Sequence, residues 1–360
     1  MIFDPISLRG GLNLKNRLVL APMTTYSSLA DGTISPDELP YLHERAAGGF
    51  GMVMTAACNV HAWGKAFDGQ WGCENDSRLP SLRAVVEAIH SGGATAVLQI
   101  HHGGRQCPSR LTGRNGLSAS AIPAERPNAE TPDAMTEEEI ELTIQAFADA
   151  AVRAREAGFD GVEIHGANTY LLQQYVSPHS NRRTDQWSEP LAFPLAITQT
   201  VLAAVGPDFA VGYRFSPEEI ETPGIRWPLT ETLIEALSGL PLAWLHLSVR
   251  DFRAGSLVGD FDEPTTQRVA RVINGRVPLI SVGSVRTEAD AEALLALGAD
   301  LVAIGRCAIS EPRWPSVVLA GETPRTKVPH SGAQESLVLP KGLADKIYAT
   351  PGWFEVESAV

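Results

Sequence analysis

Three separated stretches of this chain echo one another: AGGFGMVMTA at 47–56, AGFDGVEIHG at 157–166 and LGADLVAIGR at 297–306. Each reads as a helix end, a glycine stop and a short apolar strand. A unit of this kind cannot bury its strand alone, so it constrains the chain to alternating helices and parallel strands. Eight such strands are predicted: Arg17–Pro22, Gly51–Ala57, Ala94–Ile100, Gly161–His165, Phe209–Arg214, Leu242–Ser248, Val277–Ser281 and Asp300–Ile304. Their continuous apolar character suits strands covered on both faces. The intervening helices carry their own punctuation. Thr136-Glu137-Glu138-Glu139 is a capping box, Ile140, Ile144, Phe147 and Ala151 share one face, and Gly158 supplies the stop. Another helix begins at Thr287 and runs to Gly298.

Eight repeats of this unit point to a closed (β/α)8 TIM barrel. A doubly wound open sheet is the alternative, but no Gly-x-Gly-x-x-Gly follows the first strand. Residues 101–135, rich in Pro, Gly, Ser and Arg, are too long for an ordinary connection and read as a loop or small subdomain capping the barrel. The organisation is therefore a barrel over 1–320, including that loop after strand three, and a C-terminal tail over 321–360. Trp353 and Phe354 in the tail are expected to cover an active-site mouth or a subunit interface, or to patch the outer wall.

Bulk properties exclude several functions. A net charge of −13 argues against nucleic acid or an anionic membrane as partner. The four cysteines are widely spaced with no Cys-x-x-Cys, which excludes an obvious zinc or iron–sulfur framework and fits a reducing, cytoplasmic setting. The N-terminus shows no secretory signal and no apolar run approaches a membrane span. Self-association into a homo-oligomer is compatible with this reading.

In a parallel barrel the chemistry gathers at the C-terminal strand ends. Those places hold Thr24 and Tyr26, Ala57, Gln99 with His101 and His102 just after, His165-x-x-Asn168-x-Tyr170, Arg214, Gly283-Ser284 and Gly305-Arg306. His165 and Asn168 can grip one carbonyl or nitro oxygen while Tyr170 delivers a proton nearby. Gly283, Ser284, Gly305 and Arg306 suit a phosphate, through turn amides and a forked cation. A phosphate site alone does not distinguish a flavin mononucleotide from a phosphorylated sugar. The other strand ends favour flavin. Gln99 can pair with a pyrimidine-like edge, Arg214 can sit where charge accumulates on reduction, Thr24 offers a hydroxyl, and Ala57 leaves room for a ring.

Five motifs together carry a resemblance: FDPISL, LKNRLVLAPMTTYS, AVLQIHHGGRQ, AAVRAREAGFDGVEIHGANTYLLQQYVSPHSNRRTD, and GADLVAIGR followed by EP. Over about residues 3–316 the chain resembles the Old Yellow Enzyme family of FMN-dependent ene-reductases, in its bacterial branch. The resemblance implies tightly bound, non-covalent FMN, with NADPH or NADH as reductant. The activity it implies is reduction of the activated C=C bond of α,β-unsaturated carbonyl or nitro compounds. Hydride would pass from flavin N5, and a tyrosine would protonate. Position by position it implies Thr24, Ala57, Gln99, Arg214, Gly283, Ser284, Gly305 and Arg306 at the flavin. It places Tyr26, His165 and Asn168 at the substrate, and Tyr170 as proton donor. One departure is a shortened segment after strand four, where Asp185–Leu191 continues directly to Phe193-Pro194. Two rivals to this function are a flavin-free barrel isomerase or aldolase acting on a phosphorylated substrate, and a flavin-binding protein with little turnover.

Overall fold

The computed structural model describes residues 1–358. Its eight parallel strands are β1 (Leu18–Leu20), β2 (Met52–Met54), β3 (Thr95–His101), β4 (Gly161–Gly166), β5 (Ala210–Phe215), β6 (Trp244–Leu247), β7 (Leu279–Val282) and β8 (Leu301–Ile304). Each pairs with the next in sequence, and β8 pairs back to β1 through Val302–Leu18 and Ile304–Leu20. The sheet is closed, which sets aside the open-sheet alternative. The principal helices behind it are α1 (Glu38–Ala47), α2 (Leu79–Ser91), α3 (Glu137–Ala157), α4 (Ala192–Val205), α5 (Trp227–Ser238), α6 (Thr265–Ile273) and α7 (Glu288–Ala296). The capping box at Thr136 forms as expected, and Gly158 ends α3 at φ 98°. No helix among the described residues is long and apolar enough to cross a membrane.

The period of two along each strand decides what faces the barrel axis. Leu18 and Leu20, Leu98 and Ile100, Val162 and Ile164, Val211, Tyr213 and Phe215, and Leu245 and Leu247 pack outward in the large core shared with the helices. The residues between them point inward. Val19, Met52, Met54, Val97, Trp244, Ile280 and Leu301 belong to a second, smaller apolar core inside the barrel. Above that floor the same inward phase brings Gln99, His101, Glu163, His165, Arg214 and His246, all buried. The barrel is thus dry and apolar towards one end and polar towards the C-terminal ends of its strands. Gly212 is small for a definite reason: a Cβ there would lie 2.0 Å from the Trp244 indole, which occupies the axis.

Two strand expectations need correction. The second strand is shorter than 51–57. Beyond Met54 the chain leaves the ladder, and Thr55 instead caps Val97 and Gln99, through its N–H to the Val97 carbonyl (3.0 Å) and its Oγ1 to the Gln99 N–H (3.1 Å). Ala57 therefore sits in an extended link before a short strand at Cys58–Asn59. The capping segment begins after His101, which completes β3. It contains one turn at Gly104–Gln106, one at Ser109–Thr112, and a two-strand parallel pair joining Leu117–Ser118 to Asp133–Ala134. The tail is ordered too. A helix, α8 (Lys341–Ala349), docks on the turn at Tyr26, where the Gly342 N–H donates to Ser27 Oγ at 2.9 Å.

Candidate active site

The end of β4 builds one half of the barrel mouth. β4 stops at Gly166, and Asn168 and Thr169 follow at φ 57° and 63°, a left-handed pair that turns the chain sharply. His165 Nδ1 accepts the Ala167 backbone N–H at 3.2 Å. The ring proton therefore sits on Nε2, the nitrogen that faces away from the backbone. Burial, with His101, Arg214 and His246 nearby, holds His165 well below its ordinary pKa, so it is a neutral donor. Asn168 is held from two sides: its N–H donates to Ser216 Oγ at 2.9 Å, and its Oδ1 accepts from Ser248 Oγ at 3.2 Å. Tyr170 stands edge-on to His165, with ring centroids 5.1 Å apart and planes at 90°. Burial, then Tyr26 and Cys107, push its phenol up to about 12, so it keeps its proton at neutral pH. His101 supports both rings, at 4.3 Å from Tyr170 and 5.3 Å from His165.

Beneath this half lies a buried carboxylate. Glu163 accepts from Gln99 Nε2 (2.8 Å), Trp244 Nε1 (2.9 Å) and His246 Nδ1 (2.9 Å). Burial raises its pKa, but His246, Arg214 and Trp244 outweigh that and hold the carboxyl below the usual range. Gln99 thus spends one amide hydrogen on the barrel interior. The other N–H and the carbonyl remain for a ligand. Arg214 is almost completely buried, and its Nη2 donates to Ser248 Oγ at 3.1 Å while Nε has no protein partner.

The other half is a cavity of about 550 Å³, lined by Ala21–Met23, Arg214, Val249–Arg250, 282–286, Ala303, 305–307 and the tail from Gly352 to Glu355. It gathers Gly283, Ser284, Gly305 and Arg306 as the sequence predicts. Gly283 is required at φ 134°, where a Cβ would lie 2.9 Å from the Phe252 nitrogen and the Val249 oxygen. Ser284 Oγ donates to the Arg250 carbonyl at 3.0 Å. A Cβ on Gly305 would make only ordinary contacts, with Met23 Sδ at 3.6 Å and Ala21 Cβ at 3.8 Å, so no close approach requires glycine there. Among the described residues Arg250 and Arg306 form no ion pair, while Arg286 reaches Glu355 of the tail at 3.2 Å. A phosphate fits here: exposed cations without partners beside bare backbone. Trp353 and Phe354 line the same cavity, and Trp353 also meets Tyr26 edge-on at 6.4 Å. The tail aromatics therefore cover the mouth from within the same chain.

Thr24 lies in the loop after β1 and Ala57 in the link after β2, and neither lines this cavity. Thr24 is half-buried, and Ala57 is 7% exposed. Tyr26 lies on a left-handed turn at φ 54°. Sequence reasoning missed Ser216 and Ser248, which hold Asn168, and Arg250 and Arg286. It also passed over Glu163, although an acid between Val162 and Ile164 in a strand covered on both faces was a usable signal.

Comparison with known proteins identifies the family. The NADH:flavin oxidoreductase / NADH oxidase family matches residues 1–323. The chain is 42% identical to a probable NADH-dependent flavin oxidoreductase, YqiG, of Bacillus subtilis, over 98% of this chain and 97% of that one. It is 41% identical to an NADH:fumarate oxidoreductase of Klebsiella pneumoniae over 95% of this chain, which spans only 38% of that longer protein. Among solved structures, morphinone reductase superposes with a TM-score of 0.77 at 26% identity, covering 96% of this chain and 95% of that one. The flavin-free isomerase alternative falls with this match. The chain belongs to the NADH:flavin oxidoreductase family, that of Old Yellow Enzyme, and is an oxidoreductase using FMN and NAD(P)H.

Proposed function

We propose that the protein is an ene-reductase: it reduces the C=C bond of α,β-unsaturated carbonyl or nitro compounds at the expense of NAD(P)H. The net change is alkene plus NAD(P)H plus one proton to alkane plus oxidised nicotinamide. FMN, when bound, supplies the two-electron relay between nicotinamide and alkene. Gly283, Ser284, Gly305 and Arg306 would hold its phosphate, with Thr24, Ala57, Gln99 and Arg214 around its ring.

The observation that carries this reading is the fixed tautomer of His165. With Nδ1 accepting the Ala167 N–H, Nε2–H is a neutral donor. The Asn168 amide donates beside it, since its carbonyl is already engaged by Ser248. Two neutral donors polarise a carbonyl or nitro oxygen and stabilise the negative charge that grows there as the β-carbon accepts hydride. Tyr170, perpendicular to His165 and still protonated, gives its proton to the α-carbon and recovers one from solvent. Tyr26, with Trp353 against it, would border the bound substrate. The names of relatives add support, since a flavin oxidoreductase, a fumarate oxidoreductase and an acrylate oxidoreductase all take NADH.

The test is anaerobic. The purified protein should show a flavin spectrum and release FMN, not FAD, on denaturation. Once bleached with NADH or NADPH, it should regain its colour on mixing with 2-cyclohexenone or a nitroalkene. A reduced protein that no member of an enone and nitroalkene panel reoxidises would remove the ene-reductase reading and favour a flavin protein with little turnover.

A further inference from the structure

Asn168 is a loop residue on the exposed side of the mouth, in a backbone conformation unusual for a residue with a side chain. A free asparagine there could present either its carbonyl or its amide nitrogen to a ligand, and only the nitrogen can donate to a substrate oxygen. Ser248, in the loop just after β6, removes that choice. Arg214 Nη2 donates to Ser248 Oγ at 3.1 Å, and the guanidinium has nothing but donors to offer. The hydroxyl must accept from it, and its own proton then goes to the neighbouring Asn168 Oδ1 at 3.2 Å. The amide is thereby oriented with its NH2 turned away from Ser248. Among the described residues that NH2 donates to no protein group. Ser216 fixes the backbone of the same residue at 2.9 Å.

We propose that Ser248 is a positioning residue for substrate binding: accepting from the buried Arg214, it turns its own proton to the Asn168 carbonyl and so keeps a donor, not an acceptor, facing the substrate oxygen. The inference rests on Asn168 being such a donor. Ser248 itself touches no reacting atom. Its hydroxyl matters because it is both acceptor and donor, which an alanine methyl replaces with neither. Threonine keeps both functions.

A double-mutant cycle tests this on the FMN-loaded protein, read by equilibrium binding of 4-hydroxybenzaldehyde through the perturbation of the flavin spectrum. Asn168→Ala should raise the Kd by roughly tenfold or more, the loss of one oriented donor. Ser248→Ala should raise it by about three- to tenfold, and Ser248→Thr by less than about twofold. In the Asn168→Ala background, Ser248→Ala should change the Kd by less than about twofold, because nothing is left to orient. A Ser248→Ala protein that binds like the parent, while Asn168→Ala binds poorly, overturns the positioning role alone. Equal additional loss from Ser248→Ala in both backgrounds also overturns it and makes the hydroxyl a general structural element. An unchanged Kd in Asn168→Ala overturns the donor role of Asn168, and the positioning role with it.

Discussion

The two halves of the barrel mouth meet at Arg214 but use different physics. The β4 half is built from neutral groups whose hydrogen bonds orient them: His165 by Ala167, Asn168 by Ser216 and Ser248, His101 by Gln70 Nε2 at 2.9 Å. The β7–β8 half offers fixed charge on exposed arginines, Arg250 and Arg306, beside glycine backbone. Neutral, buried, oriented dipoles suit a charge that appears only in a transition state, because they need not reorganise when it does. Exposed cations suit a charge that is always present, such as a phosphate, and are screened by salt. Under the proposed function, reaction belongs to one half and retention to the other, and each half can be attacked separately.

The largest effect is expected at Tyr170. Reduction of the flavin by nicotinamide needs no proton from this residue, whereas saturation of an enone does. Tyr170→Phe should slow the oxidative half-reaction with 2-cyclohexenone by roughly 10²- to 10⁴-fold and leave the reductive half-reaction within a few fold. Nitroalkenes should suffer less, since their nitronate can leave and be protonated in water. Stopped-flow measurement of each half-reaction decides it. Equal slowing of both halves would break the division between reaction and retention.

The neutral half also has a stability signature. His101 is lowered to about 3 by burial, and burial likewise holds His102, His165 and His246 below their ordinary value of 6.5. Below pH 6.5 the unfolded chain protonates these rings more readily than the folded chain does. Their contribution is therefore complete above 6.5 and is lost as pH falls below it. Urea unfolding at pH 7.5, 6.5 and 5.5 should show stability level over the first interval and falling over the second. Within that second interval, affinity of the oxidised protein for 2-cyclohexenone, a ligand with no titrating group, should stay unchanged in the protein that remains folded, because His165 is already neutral. An affinity for that ligand that follows a pKa near 6.5 would mean that His165 titrates and is not a neutral donor.

The legibility of the two halves in sequence differs for a physical reason. The strand phase was readable because a period of two leaves little choice: once Val162 and Ile164 face the helices, Glu163 and His165 must face the axis. The glycine and arginine cradle was readable because its members lie at strand ends. Ser248 was not, since its partner Asn168 is 80 residues away and they meet only when the barrel closes. The early end of β2 was equally hidden, because Thr55 turns from strand residue to cap only through contact with β3. Arg250 and Arg286 look like any exposed arginine until the loops after β6 and β7 come together around Gly283.

The charged half should answer to charge removal. Arg306→Ala should weaken FMN retention by about 1.5–3 kcal/mol, the range for a hydrogen bond to a charged group. That corresponds to roughly ten- to a hundredfold in Kd, measurable by ultrafiltration and flavin fluorescence. The loss should shrink at high salt, where screening weakens the parent as well. The Kd of 4-hydroxybenzaldehyde, measured with FMN saturating, should not move. An Arg306→Ala protein that holds FMN like its parent would show that Arg250 or Arg286 supplies the cation, and would move the retention site along the rim without changing the comparison.

The smallest effect is expected at Thr24, and it tests where the border between the halves lies. Thr24 is half-buried in the loop after β1, next to Met23, which lines the cavity shared with Gly283 and Arg306. Among the described residues its hydroxyl makes no hydrogen bond to protein. A hydroxyl with a free proton at that place can donate to the C4 carbonyl region of the flavin ring, where electron density rises on reduction. Such a donor favours the reduced form, so Thr24→Ala should make reduction harder. Loss of one neutral hydrogen bond, of order 1 kcal/mol, lowers a two-electron midpoint by about 20 mV. FMN affinity of the oxidised protein should barely change, which separates Thr24 from Arg306. A redox titration with an unchanged or raised midpoint would place Thr24 in the barrel wall. The donor set for the ring would then begin at Gln99, and the neutral half would end at the barrel interior.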